Sequence, residues 1–365
     1  MKQFLIVMAL ALISWSCSVT HQNEKIISKP KNIILLIGDG MGLSQVSLNF
    51  YTDDVTTNFN RFKQISLMKT SSATHKITDS GAGGTALSCG VKTYNGAIGM
   101  GNDTNSVENI TEILAEKGVR NGIVATSSIT HATPAAFYAH VPIRKMENEI
   151  ALQMLATKVD FFAGGGIKYF AKRKDGQNLI LKLEAKGYIV DTNSLVDKDL
   201  LNQDKKYAFL LSDNGMPEHH KGRGDFLPKA TELAINYLNN KGKGFFLMSE
   251  SSQIDWAGHK NDNEYMLAEM EDFDKTIGVA MDFAEKDGNT LVIVLADHET
   301  GGFSLSSGMI DEYHGDYESI VPNYATGGHT AALVPVFAYG PGSELFDGIY
   351  ENTEVFYKML EAIKE

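Results

Sequence analysis

Cysteine is scarce in this chain of 365 residues, which has only Cys17 and Cys89. Because Cys17 adjoins an N-terminal targeting segment, we expect the mature protein to have no internal disulfide. A fold held together by disulfides is thereby excluded. Stability must come from a hydrophobic core, with bound metal as a further source.

Positive charge is also in deficit. The sequence has 33 Lys and Arg against 45 Asp and Glu, a net charge of −12 at pH 7, which argues against a nucleic-acid partner. An anionic substrate would need local positive charge from metal ions or an arginine. Internal repeats are absent, and 43% hydrophobic with 21% charged residues is an ordinary globular composition. The length allows one large domain or two.

The first apolar run is too short to span a membrane. It covers residues 4–13 and comes after Lys2, so residues 1–16 are predicted to be a signal peptide. Two hypotheses fit the cysteine and the polar stretch beyond it: simple secretion, or a bacterial lipoprotein that carries a lipid anchor on Cys17. Both predict an exported protein that is periplasmic, anchored by lipid to the bacterial envelope, or secreted. Residues 17–30 are predicted to be a flexible lead or tether.

Uninterrupted apolar runs recur along the rest of the chain and are typical of strands buried in a parallel sheet. They cover residues 31–37, 119–125, 244–248, 290–295 and 333–339. Helices are predicted for residues 107–117, 230–239, 266–284 and 352–365. The alternation indicates an α/β protein.

Side chains that can bind metal ions come directly after several of these strands. They are Asp39, Glu250, Asp297 and His298. Open α/β sheets bind ligands at the carboxyl ends of their strands, although Asp and Gly also favour an ordinary turn. Asp255 and His259 are four residues apart, which places them on one face of a helical turn and suits zinc. The alternative for this pair is a capping Asp and a surface His.

Residues 78–99 are the most informative stretch. Asp79 and Ser80 precede a run of Gly and Ala, which lets a helix start at Ser80 and pack closely against a sheet. Free backbone N–H groups and the dipole at that helix end favour an anion, which suits a nucleophile attacking a phosphate or acyl group. The alternative is a plain helix cap, since Asp and Ser are preferred capping residues.

The longer string closely resembles the nucleophile region of alkaline phosphatases. The matching residues are Asp79-Ser80, Thr85-Ala86, the run GVKTYNG at 90–96, the run THATPAA at 130–136, and Arg144. The resemblance implies an α/β three-layer sandwich, with a central, mostly parallel sheet flanked by helices and small peripheral insertions. It implies a single domain over residues 31–365 that includes a peripheral region within 145–227.

The implied activity is hydrolysis of phosphate monoesters through a phosphoserine intermediate, with two zinc ions and one magnesium ion. Ser80 would be the nucleophile, Arg144 would hold two phosphate oxygens through its planar fork, and Asp79 would orient Arg144. The implied metal ligands are Asp39, Ser80, Thr133, Glu250, Asp255, His259, Asp297, His298 and His329. Among them, Asp255, His259 and His329 would hold the first zinc, Asp297 and His298 the second, and Asp39, Thr133 and Glu250 the magnesium, with Asp39 as a ligand common to two metals.

Two positions vary within the resembling family. His131 stands where some members have Asp, so we expect it just outside the magnesium site. Trp256 stands where others have Lys or His, and it cannot supply positive charge to a phosphate. Both are included with Arg144 as substrate-binding candidates.

Neighbouring residues are assigned ordinary roles. Glu299 and Thr300 are expected to shape a turn, and His219-His220 is expected to be a solvated pair. The span 298–329 is short compared with longer family members, so a large extra domain over the site is not expected. The resemblance implies a homodimer, but without the dimer contacts that such insertions make.

Two alternatives fit part of the pattern. A phosphodiesterase or sulfatase of the same superfamily is one, but the sequence from Cys89 to Lys92 lacks the Pro and Arg that a sulfatase needs, and Arg144 with a complete magnesium set favours monoesters. The other is a catalytically silent, metal-binding surface lipoprotein, against which the intact Ser80 and Arg144 argue.

Overall fold

The computed structural model describes residues 29–51, 56–240 and 243–364. The predicted signal peptide, Cys17 and most of the predicted tether lie outside these residues, so the two hypotheses for Cys17 remain predictions. Among the described residues, no helix has the length and apolar character needed to cross a membrane.

Strands occur where the apolar runs predict them, with others between. They are β1 (Asn32–Gly38), β2 (Gln64–Lys69), β3 (Arg120–Ser128), β4 (Phe161–Gly165), β5 (Tyr188–Asp191), β6 (Lys206–Leu210), β7 (Phe245–Ser251), β8 (Thr290–Leu295), β9 (Glu299–Thr300), β10 (Phe303–Met309), β11 (Gly315–Tyr324), β12 (His329–Thr330), β13 (Val334–Tyr339) and β14 (Ile349–Glu351).

Helices fill most of the connections. They are α1 (Leu43–Tyr51), α2 (Ser80–Cys89), α3 (Ile110–Glu116), α4 (Ala132–Ala136), α5 (Glu147–Met154), α6 (Ile167–Ala171), α7 (Leu179–Ala185), α8 (Phe226–Leu238), α9 (Gln253–Lys260), α10 (Asn263–Asp287) and α11 (Asn352–Ala362). Short 3₁₀ helices cover Asn58–Arg61, Lys198–Leu200, His219–Lys221 and Ser343–Leu345.

Ten strands form one sheet in the order β14-β2-β13-β8-β1-β7-β3-β4-β6-β5. Its neighbouring strands run parallel except at β13, which is antiparallel to β2 and β8. Two small antiparallel sheets pair β10 with β11 and β9 with β12. The predicted central, mostly parallel sheet is confirmed.

Helices cover both faces of this sheet. One group contains α1, α8, α9 and α10, and the other contains α2, α3, α4 and α11. Because both faces are covered, the central strands β1, β7 and β8 are buried along their whole length, which explains their uninterrupted apolar sequences. The three-layer sandwich is confirmed.

The register of the central strands fixes where the site lies. Ile37 of β1 is level with Glu250 of β7 and with Leu295 of β8. Asp39 follows Ile37 by two residues, and Asp297 follows Leu295 by two residues. Both aspartates therefore emerge at the same edge of the sheet as Glu250. This is the carboxyl-terminal edge, where open α/β sheets bind ligands.

The small residues of α2 let it approach this edge closely. A Cβ atom on Gly83 would lie 3.1 Å from Cβ of Asp297, and one on Gly84 would lie 3.2 Å from Cβ of Ala136. Larger side chains would push the helix, and Ser80 with it, away from the strand ends. The close packing expected from the Gly and Ala run is confirmed.

Two details differ from the sequence-based expectation. The helix predicted for 107–117 begins only at Ile110, because Asn109 caps it and the Glu112 carboxylate accepts a hydrogen bond from the Asn109 N–H. The short span 298–329 contains the β10–β11 hairpin, which the sequence does not predict. Tyr313 and Tyr317 near its tip are exposed.

Candidate active site

The metal-ligand candidates converge at the carboxyl-terminal edge of the sheet. Potential ligand atoms lie within 4.8 Å of one another in three groups: Asp255, His259 and His329; Asp39, Asp255 and His298; and Asp39, His131 and Glu250. Asp39 and Asp255 each belong to two groups, so the three groups are continuous. Asp297 lies beside them, with Oδ2 3.3 Å from Nε2 of His298.

Ser80 begins α2 and is buried. Asp79 caps the helix, because its Oδ1 accepts a hydrogen bond from the Ala82 N–H at 3.1 Å. The Ser80 hydroxyl points elsewhere, and its Oγ lies 3.2 Å from Nε2 of His298. The cap and the candidate nucleophile are therefore two adjacent residues, and the capping interpretation accounts for Asp79 alone.

Asp79 also positions Arg144. Nη1 of Arg144 donates to Oδ2 of Asp79 at 3.0 Å. Burial would raise the pKa of Asp79, but Arg144 and the N–H groups of Ala82 and Gly96 hold that pKa below its usual value. Nη2 of Arg144 lies 3.3 Å from Nε2 of His131. Burial, with Arg144 adjacent, lowers the pKa of His131 to about 3, so its imidazole is neutral and accepts this hydrogen bond.

Two imidazoles are anchored through Nδ1 and turn Nε2 inward. Nδ1 of His259 donates to the Gly327 carbonyl at 2.7 Å, and Nδ1 of His329 donates to the Thr78 carbonyl at 2.8 Å. Their Nε2 atoms are 3.2 Å apart, and each is 3.4 Å from an oxygen of Asp255. A carbonyl only accepts, so in the neutral rings the inward Nε2 presents its lone pair, as in metal-binding histidines. Asp255 raises the pKa of His259 to about 9, so a metal ion would compete here with a proton.

Three buried carboxylates lie at the centre, and we call Asp39, Glu250 and Asp297 the carboxylate cluster. Within the described part of the chain, both oxygens of Asp39, Oε1 of Glu250 and Oδ2 of Asp297 are buried without a hydrogen bond. Burial, reinforced by Asp297, raises the pKa of Asp39 well above its usual value, and burial raises the pKa of Glu250 to about 8. Divalent cations would supply the missing positive charge, and carboxylate and imidazole are their usual ligands. The residues present therefore fit zinc and magnesium.

Glu250 is held in place by two serines. Ser252 Oγ donates to Oε2 of Glu250 at 2.6 Å and lies 2.9 Å from Ser127 Oγ. The other oxygen, Oε1, and the Thr133 hydroxyl are buried and make no hydrogen bond within residues 29–51, 56–240 and 243–364. Hard oxygen donors of this kind suit magnesium.

Trp256 lies beside His131, with ring centroids 6.0 Å apart in an edge-on arrangement. A Cβ on Gly215 would lie 2.6 Å from the indole, so this glycine leaves the space that the ring occupies. His131 also shares a group of potential ligands with Asp39 and Glu250. His131 and Trp256 thus stand next to the oxygen-rich part of the site.

Other residues differ from their expected roles. Thr300 is expected to shape a turn but lies in strand β9, and its hydroxyl contacts two candidate ligands, Asp255 and His298. The only sequence signal for this is a hydroxyl residue two positions after a candidate ligand at a strand end.

The sequence predicts that His219 and His220 are solvated, yet both are partly buried against acidic side chains. Neither belongs to a group of potential ligands among the described residues.

Buried oxygen and nitrogen ligands around a serine hydroxyl restrict the chemistry to metal-assisted attack on an electrophile, as in metal-dependent hydrolases. A sequence model of the alkaline phosphatase family matches residues 30–317. Alkaline phosphatase 3 of Bacillus subtilis (strain 168) is 36% identical, over 92% of this chain and 89% of that protein. The alkaline phosphatase of Escherichia coli (strain K12) is 31% identical, over 93% and 88%.

Solved structures agree. The alkaline phosphatase of the Antarctic bacterium TAB5 has a TM-score of 0.91 and 52% sequence identity, and the match covers 93% of this chain and 99% of that one. The chain belongs to the alkaline phosphatase family, and it is a phosphomonoester hydrolase of that metal-dependent family.

Proposed function

We propose that this enzyme hydrolyses phosphate monoesters through a phosphoserine intermediate on Ser80, with two zinc ions and one magnesium ion as cofactors. One observation carries the proposal: the Ser80 hydroxyl, at a helix N-terminus, lies 3.2 Å from Nε2 of His298. That nitrogen is 3.4 Å from Asp39 and 3.3 Å from Asp297, and among the described residues both carboxylates have buried oxygens without a hydrogen bond. A phosphoryl group at this point would meet both the nucleophile and the ligands of its activating ions.

One observed group, Asp255, His259 and His329, has the members of the first zinc site that the sequence implies, whereas the group of Asp39, Asp255 and His298 combines residues assigned to different ions. Asp255, His259 and His329 would hold the first zinc, Asp297, His298 and Ser80 the second, and Asp39, Glu250 and Thr133 the magnesium, with Asp39 also a zinc ligand. When bound, these ions neutralise the carboxylates and lower the pKa of hydroxyl and water oxygens. A histidine-to-aspartate variant of the TAB5 enzyme holds magnesium in a site named M3, which supports the magnesium assignment.

The residues of the chain perform the steps of a two-stage exchange. Oγ of Ser80 forms a bond to phosphorus while the bond from phosphorus to the alcohol oxygen breaks, and the hydroxyl proton passes by way of solvent to that oxygen, which leaves as the alcohol. Water then attacks the phosphoserine, which releases inorganic phosphate and restores the Ser80 hydroxyl. The free N–H groups at the start of α2 and the guanidinium of Arg144 stabilise the phosphoryl oxygens throughout.

Asp79 positions Arg144 for this role through their 3.0 Å ion pair. Neutral His131 accepts a hydrogen bond from the other guanidinium nitrogen, Nη2, so the guanidinium plane is fixed at two points. Trp256 packs against His131 and adds no charge. We assign His131 and Trp256 to the side of the site that contacts the phosphate, behind Arg144.

The cellular setting is proposed from the sequence. Residues 1–16 would direct export, and the mature enzyme would be periplasmic, lipid-anchored through Cys17, or secreted. Residues 31–365 would form one catalytic domain, with 145–227 contributing the peripheral strands, and two chains would form a homodimer. Mass spectrometry of the mature N-terminus and sedimentation of the purified enzyme test these assignments.

The test of the activity compares p-nitrophenyl phosphate with bis-p-nitrophenyl phosphate at pH 7 to 10. We expect strong monoesterase activity that EDTA removes, that zinc with magnesium restores, and that Ser80→Ala abolishes. Radiolabelled phosphate at low pH should label wild type on Ser80 and leave Ser80→Ala unlabelled. Preference for the diester would make the protein a phosphodiesterase, and no turnover of either would favour a metal-binding protein without catalysis.

A further inference from the structure

Thr300 lies between the residues proposed to hold the first zinc ion and those proposed to hold the second. It is fully buried in the two-residue strand β9, and its N–H donates to the Gly40 carbonyl, one residue after Asp39, at 3.0 Å. In the register of β9 and β12, Thr300 is level with His329. The residue therefore touches or borders the ligands proposed for both zinc ions.

The Thr300 hydroxyl contacts one ligand proposed for the first zinc ion and one proposed for the second. Its Oγ1 lies 2.5 Å from Oδ1 of Asp255 and 3.2 Å from Nδ1 of His298. A carboxylate can only accept, so the single hydroxyl proton is donated to Asp255. The hydroxyl oxygen then accepts from the Nδ1–H of His298. In the neutral ring this leaves Nε2 without a proton, and Nε2 is the atom that faces Ser80 and Asp39.

Packing holds the side chain in this rotamer. A Cβ on Gly258 would lie 3.0 Å from Cγ2 of Thr300, and a Cβ on Gly40 would lie 2.8 Å from its Oγ1. Glycines on two separate elements thus enclose the methyl group and the hydroxyl. Either alternative χ1 rotamer would take the hydroxyl away from Asp255.

The strand that carries Thr300 is itself fixed from its other side. Nε2 of Gln45 donates to Oε1 of Glu299 and to the Thr300 carbonyl, both at 3.0 Å. The Thr330 hydroxyl, next to His329, donates to Oε2 of Glu299. These hydrogen bonds, of which the two from Gln45 are buried, join α1, β9 and β12, so the position of Thr300 is coupled to that of His329.

We propose that Thr300 is a positioning residue that couples the two zinc sites, orienting Asp255 in one and selecting the metal-binding nitrogen of His298 in the other. This inference rests on the proposed two-zinc function. It goes beyond that function by predicting that one hydroxyl sets the retention of both ions. Hydrogen bonds to metal ligands typically change metal affinity by about 10- to 100-fold when they are removed.

The experiment compares variants of Thr300 that lack the hydroxyl with a variant that keeps it. Thr300→Val removes the hydroxyl and keeps the shape, whereas Thr300→Ser keeps the hydroxyl and removes the methyl group. We expect zinc transfer from the purified holoenzyme to a chromogenic chelator to be about 10- to 100-fold faster for both ions in Thr300→Val and close to wild type in Thr300→Ser. Thr300→Ala repeats the comparison with Thr300→Ser if the valine variant does not fold, which circular dichroism of the metal-free proteins shows.

Three results would overturn the proposal. Wild-type zinc retention in Thr300→Val would reduce Thr300 to a packing residue. A loss in Thr300→Ser as large as that in Thr300→Ala, with wild-type retention in Thr300→Val, would assign the effect to the methyl group. Faster release of only one zinc would remove the coupling. Failure of wild type to retain two zinc ions would instead contradict the proposed function, so the two failures are distinguishable.

Discussion

Two buried clusters of acidic side chains in this protein meet the same electrostatic problem in different ways. The carboxylate cluster at the strand ends has no positively charged side chain paired with it among the described residues. The second, which we call the arginine cluster, consists of Arg223, Glu269 and Asp272. Nη2 of Arg223 donates to Glu269 at 2.5 Å and to Asp272 at 2.8 Å, and all three side chains are fully buried.

The difference shows which feature identifies a metal site. Burial raises the pKa of Glu269 and of Asp272, but Arg223 opposes that rise, so the arginine cluster contains its own cation and stabilises the packing of α10. In the carboxylate cluster the positive charge must come from outside the chain. Buried acids alone do not indicate function, whereas buried acids without a counter-charge do.

The largest effect is expected from a change in the carboxylate cluster. Asp39→Asn removes the proposed ligand common to two metals, so we expect kcat for p-nitrophenyl phosphate to fall by about 10³-fold or more, since metal assistance contributes several kcal/mol at about 1.4 kcal/mol per factor of ten. Metal analysis of the same preparation should show lost zinc. The control is Asp199→Asn at an exposed acid, and an Asp39→Asn enzyme with wild-type metal content and kcat would contradict the assignment.

Stability should separate the two clusters next. Arg223→Leu leaves two buried carboxylates unpaired, so urea unfolding should show a loss of about 3–5 kcal/mol, with or without EDTA. Removing metal from wild type should cost about 4 kcal/mol relative to ions at a thousand times their Kd, and this loss should add to that of Arg223→Leu. The variant R223M/E269Q/D272N, which has no unpaired charge, should recover part of the stability. An EDTA effect that disappears in Arg223→Leu would mean that the clusters are not independent.

The pH dependence of the stability of the metal-free protein also tests whether the carboxylate cluster lacks a counter-charge, and the expected effect is smaller. The pKa of Glu250 is raised to about 8 by burial, above its unfolded value near 4.5, so the folded state holds the extra proton. Stability is then fully present below pH 4.5 and is lost as pH rises toward 8, by about 1.4 kcal/mol per unit of pKa displacement.

Urea unfolding in EDTA from pH 4.5 to 8 measures this slope. Glu250→Gln should make it shallower, because the amide does not titrate, while Asp39, whose pKa is also raised, still contributes a slope of the same sign. Bound metal should reverse the slope by favouring the ionised carboxylates. A slope in Glu250→Gln as steep as in wild type would assign the titration to another group.

The smallest effect on stability is expected from a partly exposed ion pair, His140 with Glu112. His140 Nε2 lies 3.0 Å from Glu112, and this hydrogen bond raises the pKa of His140. The pair therefore stabilises the fold below the usual histidine pKa of about 6.5 and loses that effect as pH rises. Both side chains are partly exposed, so Glu112→Gln should cost less than about 1 kcal/mol at pH 6 and almost nothing at pH 9. An equal cost at both pH values would indicate a capping effect instead.

Much of the site could be predicted because its residues accompany features that the sequence displays directly. Asp39 and Asp297 come directly after apolar runs, and a parallel sheet brings such ends to one edge. The small residues of α2 predicted the close approach of Ser80. The resemblance to alkaline phosphatases added the order of the remaining ligands, which no periodicity indicates.

Thr300 and the arginine cluster could not be predicted in this way. The role of Thr300 depends on the pairing of β9 with β12. These strands have two residues each and are far apart in the chain, so no sequence pattern indicates that they pair. Arg223 meets acids 46 and 49 residues away. These acids interrupt the apolar face of α10, and only the structure shows that an arginine completes that face.

Anomalous diffraction at the zinc absorption edge, on crystals of the wild-type holoenzyme, is the most direct test of the contrast between the clusters. We expect two zinc peaks among the side chains of Asp39, Asp255, His259, Asp297, His298 and His329, and none beside Arg223. Absence of zinc from the first location, or a zinc ion beside Glu269 and Asp272, would contradict the account.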